Sequence, residues 1–174
     1  LKGAIVELEK LNQREGAEED EFEKGEEYSF FVYPNRSGEL FATQNMPDIT
    51  KDKYDFAKVL KTDRDGARID VGLPREVLVP WEDLPKIKEL WPQAGDYLLV
   101  TLRIDSNNQM FGRLASETIV EGMFTPVVDD SKQNEMIEAR AYRLLRVGSF
   151  LLSEDGYKIF VHESERKQEP RLGE

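Results

Sequence analysis

A two-residue hydrophobic alternation constrains the fold of this chain more than any other feature. Residues 97–104 divide into two alternating sets, of which one is wholly aliphatic: Leu98, Val100, Leu102 and Ile104. This period is typical of a β-strand that buries one face. Residues 67–71 alternate in the same way after an Asp-Gly turn at 65–66, and residues 77–79 form another short apolar run.

A helical pattern is found over residues 82–90. This segment contains Pro85 in an early turn and is followed by Pro92, so any helix there is short. Many short strands with one short helix predict an all-β barrel or sandwich.

Two gap-free internal repeats organise the chain. An offset of 82 relates residues 58–83 to residues 140–165, and an offset of 70 relates residues 25–41 to residues 95–111. Chance matching of alternating strands is the alternative explanation. The repeats predict four segments, which are a partial domain at 1–51, a complete domain at 52–117, a linker at 118–131 and a truncated domain at 132–174.

Composition argues against several functions. The net charge of −11 excludes a protein with a basic surface all over, and the absence of Cys indicates a reducing compartment, which favours the cytoplasm. His162 is the only histidine, and no nucleophile elbow, phosphate loop or dinucleotide fingerprint accompanies it. No apolar run approaches the length of about 18 residues that spans a membrane. We therefore expect no enzyme, catalytic residue, metal site, cofactor, small-molecule substrate or membrane association.

Five strands with a short helix after the third are the plan of the OB barrel, and the motifs resemble S1 domains. Residues 148–151, Gly-Ser-Phe-Leu, and 160–165, Phe-Val-His-Glu-Ser-Glu, stand for the usual Gly-Ala-Phe-Val and Leu-Val-His-x-Ser-Glu. More narrowly, Phe-Val-Tyr-Pro-Asn at 31–35, Asp-Val-Gly-Leu-Pro at 70–74 and His-Glu-Ser-Glu-Arg at 162–166 resemble the bacterial conserved virulence factor B family.

This resemblance implies an all-β protein of tandem S1-like OB barrels, each with five strands and one short helix. Members of that family carry a C-terminal winged helix and regulate gene expression by binding RNA. The chain departs from the family plan because residues 132–174 lack a fourth and a fifth strand, so we expect a fragment or a gapped chain. The N-terminal strand pair near residues 28–43 could complete that last barrel.

Single-stranded RNA is bound by exposed aromatic side chains beside cations. Alternation from an inward Leu151 places Phe150, Phe160 and His162 together on an outward face, and S1 domains carry an aromatic residue and a histidine at the positions of Phe150 and His162. The alternatives are cover by a neighbouring domain for both phenylalanines and a polar rim position for His162. Residues 132–174, with 8 basic and 8 acidic residues, repel an anionic ligand least.

Two further residues complete the predicted RNA site. Tyr157 follows an Asp-Gly turn at a hairpin tip and is a supporting candidate, and Arg68 replaces the usual phenylalanine of the complete domain. Arg68 could contact a base or a phosphate, or serve only as a spacer.

The leading hypothesis is a non-catalytic, cytoplasmic protein that binds single-stranded RNA and regulates gene expression after transcription. A protein-interaction scaffold is the main alternative, because OB barrels also bind proteins and this chain is acidic. Open barrel edges would also allow a homodimer.

Overall fold

The computed structural model describes residues 7–8, 25–35, 37–126 and 132–174. Its strands are β1 Glu7–Leu8, β2 Phe31–Pro34, β3 Leu40–Thr43, β4 Asp55–Asp63, β5 Gly66–Asp70, β6 Val77–Pro80, β7 Tyr97–Ile104, β8 Met110–Leu114, β9 Ala139–Leu145, β10 Gly148–Ser153 and β11 Lys158–His162. One α-helix, α1, spans Glu117–Glu121, and single-turn 3₁₀ helices span Trp81–Asp83, Lys88–Leu90 and Glu163–Glu165. The predicted all-β fold class is confirmed.

Strands β4 to β8 form a closed barrel in the order β4-β5-β6-β8-β7. Successive strands are antiparallel except β6 and β8, which run parallel where the barrel closes. Ala67 and Ile69, which alternation places on one face of β5, are fully buried in its core, together with Val79 of β6. The alternation read from the sequence therefore placed the correct face inside.

The segment predicted as one short helix at 82–90 is two separate 3₁₀ turns. Leu84 leaves the first turn with extended backbone angles, as is usual for the residue that precedes a proline, and Pro85 has no amide hydrogen to continue a helix. The indole nitrogen of Trp91 donates to the carbonyl oxygen of Pro85 at 2.6 Å, and this bond closes the segment over the barrel end.

Strand β7 differs from its expected one-sided burial, because both of its faces are covered. Leu98 and Val100 fill the barrel, as predicted, whereas Ile104 at the end of the same face is 57% exposed. Leu99 on the opposite face is only 3% exposed. Leu99 packs with Val120 of α1 and Leu152 of β10 in a second hydrophobic cluster. This cluster attaches the last sheet to the barrel.

The last sheet, β9-β10-β11, repeats the first three barrel strands with the same strand register. Cross-strand neighbours Lys61, Arg68 and Leu78 of the barrel correspond, at an offset of 82, to Arg143, Phe150 and Phe160. Each first strand also skips one residue in its pairing with the second strand, Leu60 in β4 and Tyr142 in β9.

The N-terminal strands do not complete the last sheet, so that expectation is wrong. Strand β3 pairs with β2 on one side and with β1 on the other, in the order β1-β3-β2. Phe31 and Phe41 instead pack against the hydrophobic core of the barrel, together with the buried Tyr33. Their apolar side chains are thus covered by the barrel rather than by β9 to β11.

Residues 171–174 connect the barrel to β9. The amide of Gly173 donates to the carbonyl of Ala141, and the amide of Ala141 donates to the carbonyl of Glu174. In the barrel, Gly95 donates to Val59 and Val59 donates to Asp96 in the same way. Leu172 is buried rather than exposed at an open edge, and its amide donates to Leu90. The two guanidinium nitrogens Nε and Nη2 of Arg171 each lie 3.1 Å from the Asp96 carboxylate, which raises the pKa of Arg171.

We expect Val120→Ala to lower the free energy of unfolding by about 2 kcal/mol. Val120 is completely buried between β7 and β10, and the substitution removes two methyl groups and leaves a small cavity. Urea denaturation followed by tryptophan fluorescence would measure the change. The exposed Thr118→Ala on the same helix is the matched control, and an equal loss in both variants would contradict the role of Val120.

Within the described ranges, every helix is too short and too polar to cross a membrane.

Candidate nucleic-acid interface

Three aromatic side chains form one surface on β10 and β11. Phe150 and Phe160 are directly opposite each other across the strands, and their ring centroids are 4.8 Å apart. The His162 ring meets Phe160 edge-on at 6.4 Å. Phe160 is 46% exposed and Phe150 is half-buried, so the sheet presents an accessible aromatic platform. The structure therefore brings together Phe150, Phe160 and His162 as predicted.

A glycine supports this platform. A Cβ atom on Gly148, in the neighbouring strand, would lie 2.5 Å from Cζ of Phe160. The same Cβ would lie 2.4 Å from the backbone carbonyl oxygen of Val161, so a residue with a side chain would clash with both the β11 backbone and the Phe160 ring.

The turn after β11 orients His162. Its Nδ1 accepts a hydrogen bond from the amide of Ser164 at 3.2 Å, and the hydroxyl of Ser164 lies 2.9 Å from the same nitrogen. In the neutral ring, the proton is then on Nε2. His162 thus has one defined donor available for a ligand beside the exposed Phe160.

Two cations outside the predicted RNA site border the platform. The guanidinium carbon of Arg143 lies 5.8 Å from the Phe150 ring centroid, and Lys158 Nζ lies 5.2 Å from it. In a regular strand Arg140 and Arg143 would point to opposite faces, but the bulge at Tyr142 puts them on the same face. The offset of 82 was the one available signal, since it carries Lys61 onto Arg143.

An acidic residue of α1 contacts both cations. Glu117 accepts hydrogen bonds from Arg143 Nη1 at 2.9 Å and from Lys158 Nζ, and the hydroxyl of Tyr142 lies 3.4 Å from both carboxylate oxygens. Partial burial raises the pKa of Glu117, but the bonds from Lys158 and Arg143 outweigh that effect and the pKa is lowered overall. The Glu117 bond raises the pKa of Lys158. Glu117 and Lys158 are therefore ionised at neutral pH.

Tyr157 lies outside this platform. It follows β10 at the hairpin tip, where its amide donates to the hydroxyl of Ser153. Lys132 Nζ lies 5.4 Å from the Tyr157 ring centroid, so the ring contacts the segment before β9 instead of the phenylalanines. The hairpin tip projects beyond the strand pair that carries the other aromatics.

Arg68 is on the barrel and is neutralised by its own hairpin. Its guanidinium lies 3.4 Å from Asp63 and 3.6 Å from Asp65, and its side chain is 22% exposed. Cross-strand neighbours on the same face are Leu78 and, beyond it, Phe111. The corresponding barrel surface thus presents less aromatic area and no cation free of a carboxylate partner among these residues.

No three His, Asp or Glu side chains converge in the described part of the chain to form a metal site.

Two family models match the chain over the barrel and the last sheet. The model described as CvfB first S1-like domain matches residues 54–113, and the model described as virulence regulatory factor CvfB, second domain, matches residues 123–174. Both models describe one family of virulence regulatory factors, which is not a known family of enzymes.

Curated relatives carry the name conserved virulence factor B. Over all 174 residues the chain is 87% identical to the protein of Staphylococcus epidermidis, 82% to that of Staphylococcus haemolyticus and 80% to that of Staphylococcus aureus. The chain spans 58% of the length of each of these relatives.

A solved structure has the same fold. It is a multidomain protein with nucleic acid binding domains from Streptococcus pneumoniae, which superposes with a TM-score of 0.77 at 34% sequence identity. The match covers 83% of this chain and 52% of the pneumococcal chain.

Proposed function

The chain belongs to the conserved virulence factor B family, and we propose that it binds single-stranded RNA and acts in post-transcriptional regulation of gene expression. The observation that carries the proposal is the exposed Phe160 ring, placed beside Phe150 and His162. We further propose that the protein is non-catalytic and works in the cytoplasm.

The chemistry of the platform suits an unpaired nucleotide. An exposed aromatic ring can stack on any base, because every base has a π face. The Nε2 donor of His162 can reach a base edge or a ribose hydroxyl, and ribose hydroxyls distinguish RNA from DNA. Arg143 and Lys158 lie next to the neighbouring Phe150 ring, where they can contact a nucleotide backbone. The platform thus supplies stacking, a donor and positive charge together.

The proposed domain division follows the repeat. It assigns residues 1–51 to a partial S1-like domain, 52–117 to a complete one, 118–131 to a linker and 132–174 to a truncated one. The closed barrel from β4 to β8 and the sheet from β9 to β11 support the second and fourth segments. Helix α1 begins at Glu117, so the proposed linker opens with an anchored helical turn.

Fluorescence anisotropy with labelled oligo-U and oligo-A RNA tests the proposed function. We expect micromolar binding that weakens as salt increases, because phosphate contacts release counterions. Single-stranded DNA of equal length and sequence, with T for U, is the matched control for the ribose hydroxyl. An absence of RNA binding at low salt would contradict the proposal.

A protein-interaction scaffold is the second candidate, favoured by the barrel surface. Arg68 is paired with two aspartates there, and the chain carries a net charge of −11, both of which oppose a nucleic acid on that side. Recovery of a defined protein partner by a chain that binds no RNA would support this candidate.

We also propose that the protein can form a homodimer through sheet edges. In the described part of the chain, β11 has one hydrogen-bonded strand neighbour, β10, so its other edge is available for strand pairing. Sedimentation equilibrium of the chain measures this association.

Arg68→Ala is expected to change RNA affinity by less than about threefold. Its guanidinium already has two carboxylate partners, so a phosphate would have to compete with both. The same anisotropy titration at two salt concentrations measures the effect. A much larger loss, with a flatter salt dependence, would place the RNA path over the barrel.

A further inference from the structure

Helix α1 holds the Glu117 carboxylate against the edge of the aromatic platform. Arg143, Lys158 and Tyr142 all donate to its two oxygens, and the side chain of Glu117 remains 25% exposed. These three donors come from β9 and β11, whereas Glu117 comes from the segment that follows the barrel. The contact is therefore made between two parts of the chain that are distant in sequence.

The donors that hold Glu117 also border the Phe150 ring, which is the neighbour of the exposed Phe160 ring. Arg143 and Lys158 both lie within 6 Å of the Phe150 ring centroid, and the Phe160 ring packs against Phe150 at a tilt of 46°. Two cations and a hydroxyl that converge on one pair of oxygens are the donor set that a phosphodiester also requires. The Glu117 carboxylate thus takes the place of an anionic ligand.

The side chain of Glu117 can move away from its three donors while helix α1 stays in position. Val120, one turn further along α1, is completely buried against Leu99 and Leu152 and anchors the helix to both sheets. Rotation of the Glu117 side chain toward solvent would expose the three donors and leave that packing intact. A phosphate in the place of Glu117 would form charge-assisted bonds with the same Arg143 and Lys158, so the two cations would exchange one anionic partner for another.

We propose that Arg143, Lys158 and Tyr142 form a phosphodiester subsite for single-stranded RNA, which Glu117 occupies as an intramolecular competitor in the free protein. This inference rests on the proposed RNA binding and adds its regulation. The competitor lowers the affinity for any RNA and reserves binding for strands that also stack on Phe160.

Removal of the competitor should tighten RNA binding. We expect Glu117→Gln to bind labelled oligo-U RNA about fivefold more tightly than the parent chain at low salt. The plot of log affinity against log salt should steepen by about 0.7 for each cation that gains a phosphate contact. Anisotropy titrations at four salt concentrations measure both quantities.

Glu121→Gln is the matched control for net charge. Glu121 is exposed on the same short helix, so the change removes one negative charge near the site and leaves the Glu117 bonds in place. Glu117→Asp is the second variant, which keeps the net charge but shortens the side chain by one methylene. It should give a gain between those of Glu121→Gln and Glu117→Gln. This variant keeps the test decisive if Glu117→Gln folds poorly.

The double variant Glu117→Gln with Arg143→Gln should lose most of the gain, because one of the released cations is then missing. Equal affinities of Glu117→Gln and Glu121→Gln would overturn the inference while the proposed function stands. Weaker binding by Glu117→Gln would also overturn it, since Glu117 would then position the cations for RNA. If the parent and every variant fail to bind RNA at low salt, the proposed function itself fails, and the subsite with it.

Discussion

Phe160→Ala is expected to weaken the binding of labelled oligo-U RNA by about five- to 150-fold, which corresponds to about 1 to 3 kcal/mol. Phe160 is 46% exposed, more than Phe150, and it contacts the backbone of β10 at Gly148. The salt dependence should stay nearly unchanged, because no cation is removed. Phe150→Ala should cause a loss in the same range, since the Phe150 ring packs against Phe160 with a centroid separation of 4.8 Å.

Phe160→Leu is the matched control for this prediction. The equivalent barrel residue is Leu78, so a leucine is compatible with this position of the repeated sheet. Leucine retains apolar packing but has no π face. If affinity depends on stacking, Phe160→Leu will bind almost as weakly as Phe160→Ala. If Phe160→Ala binds like the parent chain while Arg68→Ala abolishes binding, the platform is not the RNA site.

The barrel was predictable because the alternation within each strand shows which of its residues are buried. Ile69 and Val79 alternate with polar or half-buried neighbours, and the side that they share is the barrel interior. The outer face of β7 was not predictable in this way. Leu99 is buried by Val120 and Leu152, which are 21 and 53 residues further along the chain, and no local pattern shows that contact.

The platform was predictable in part, and the reasons differ among its residues. Phe150, Phe160 and His162 share a face because β10 and β11 continue their alternation without interruption. Strand parity places Arg143 on the face opposite to Arg140, so Arg143 was not predicted as a site residue; the bulge reverses this parity, and alternation cannot show a bulge. Arg68 illustrates a third case, since its acidic partners Asp63 and Asp65 are visible in the sequence but only the hairpin geometry brings them within reach.

Gly66→Ala is expected to lower the free energy of unfolding by more than about 4 kcal/mol, enough to prevent normal folding of a domain of ordinary stability. A Cβ on Gly66 would lie 2.0 Å from the carbonyl oxygen of Val79, which is backbone of the adjacent strand and cannot rotate away. The φ angle of Gly66 is +137°, a value that side-chain-bearing residues rarely adopt. The substitution would therefore separate the start of β5 from the end of β6.

Gly95→Ala separates the effect of the positive φ angle from the effect of the steric clash. Gly95 also has a positive φ, +99°, but a Cβ there would meet nothing within 4 Å. Its cost should be the conformational strain alone, about 1 to 2 kcal/mol. Urea denaturation and circular dichroism of the two variants give the comparison. If Gly66→Ala is no less stable than Gly95→Ala, the close approach of β5 and β6 is not what requires a glycine at residue 66.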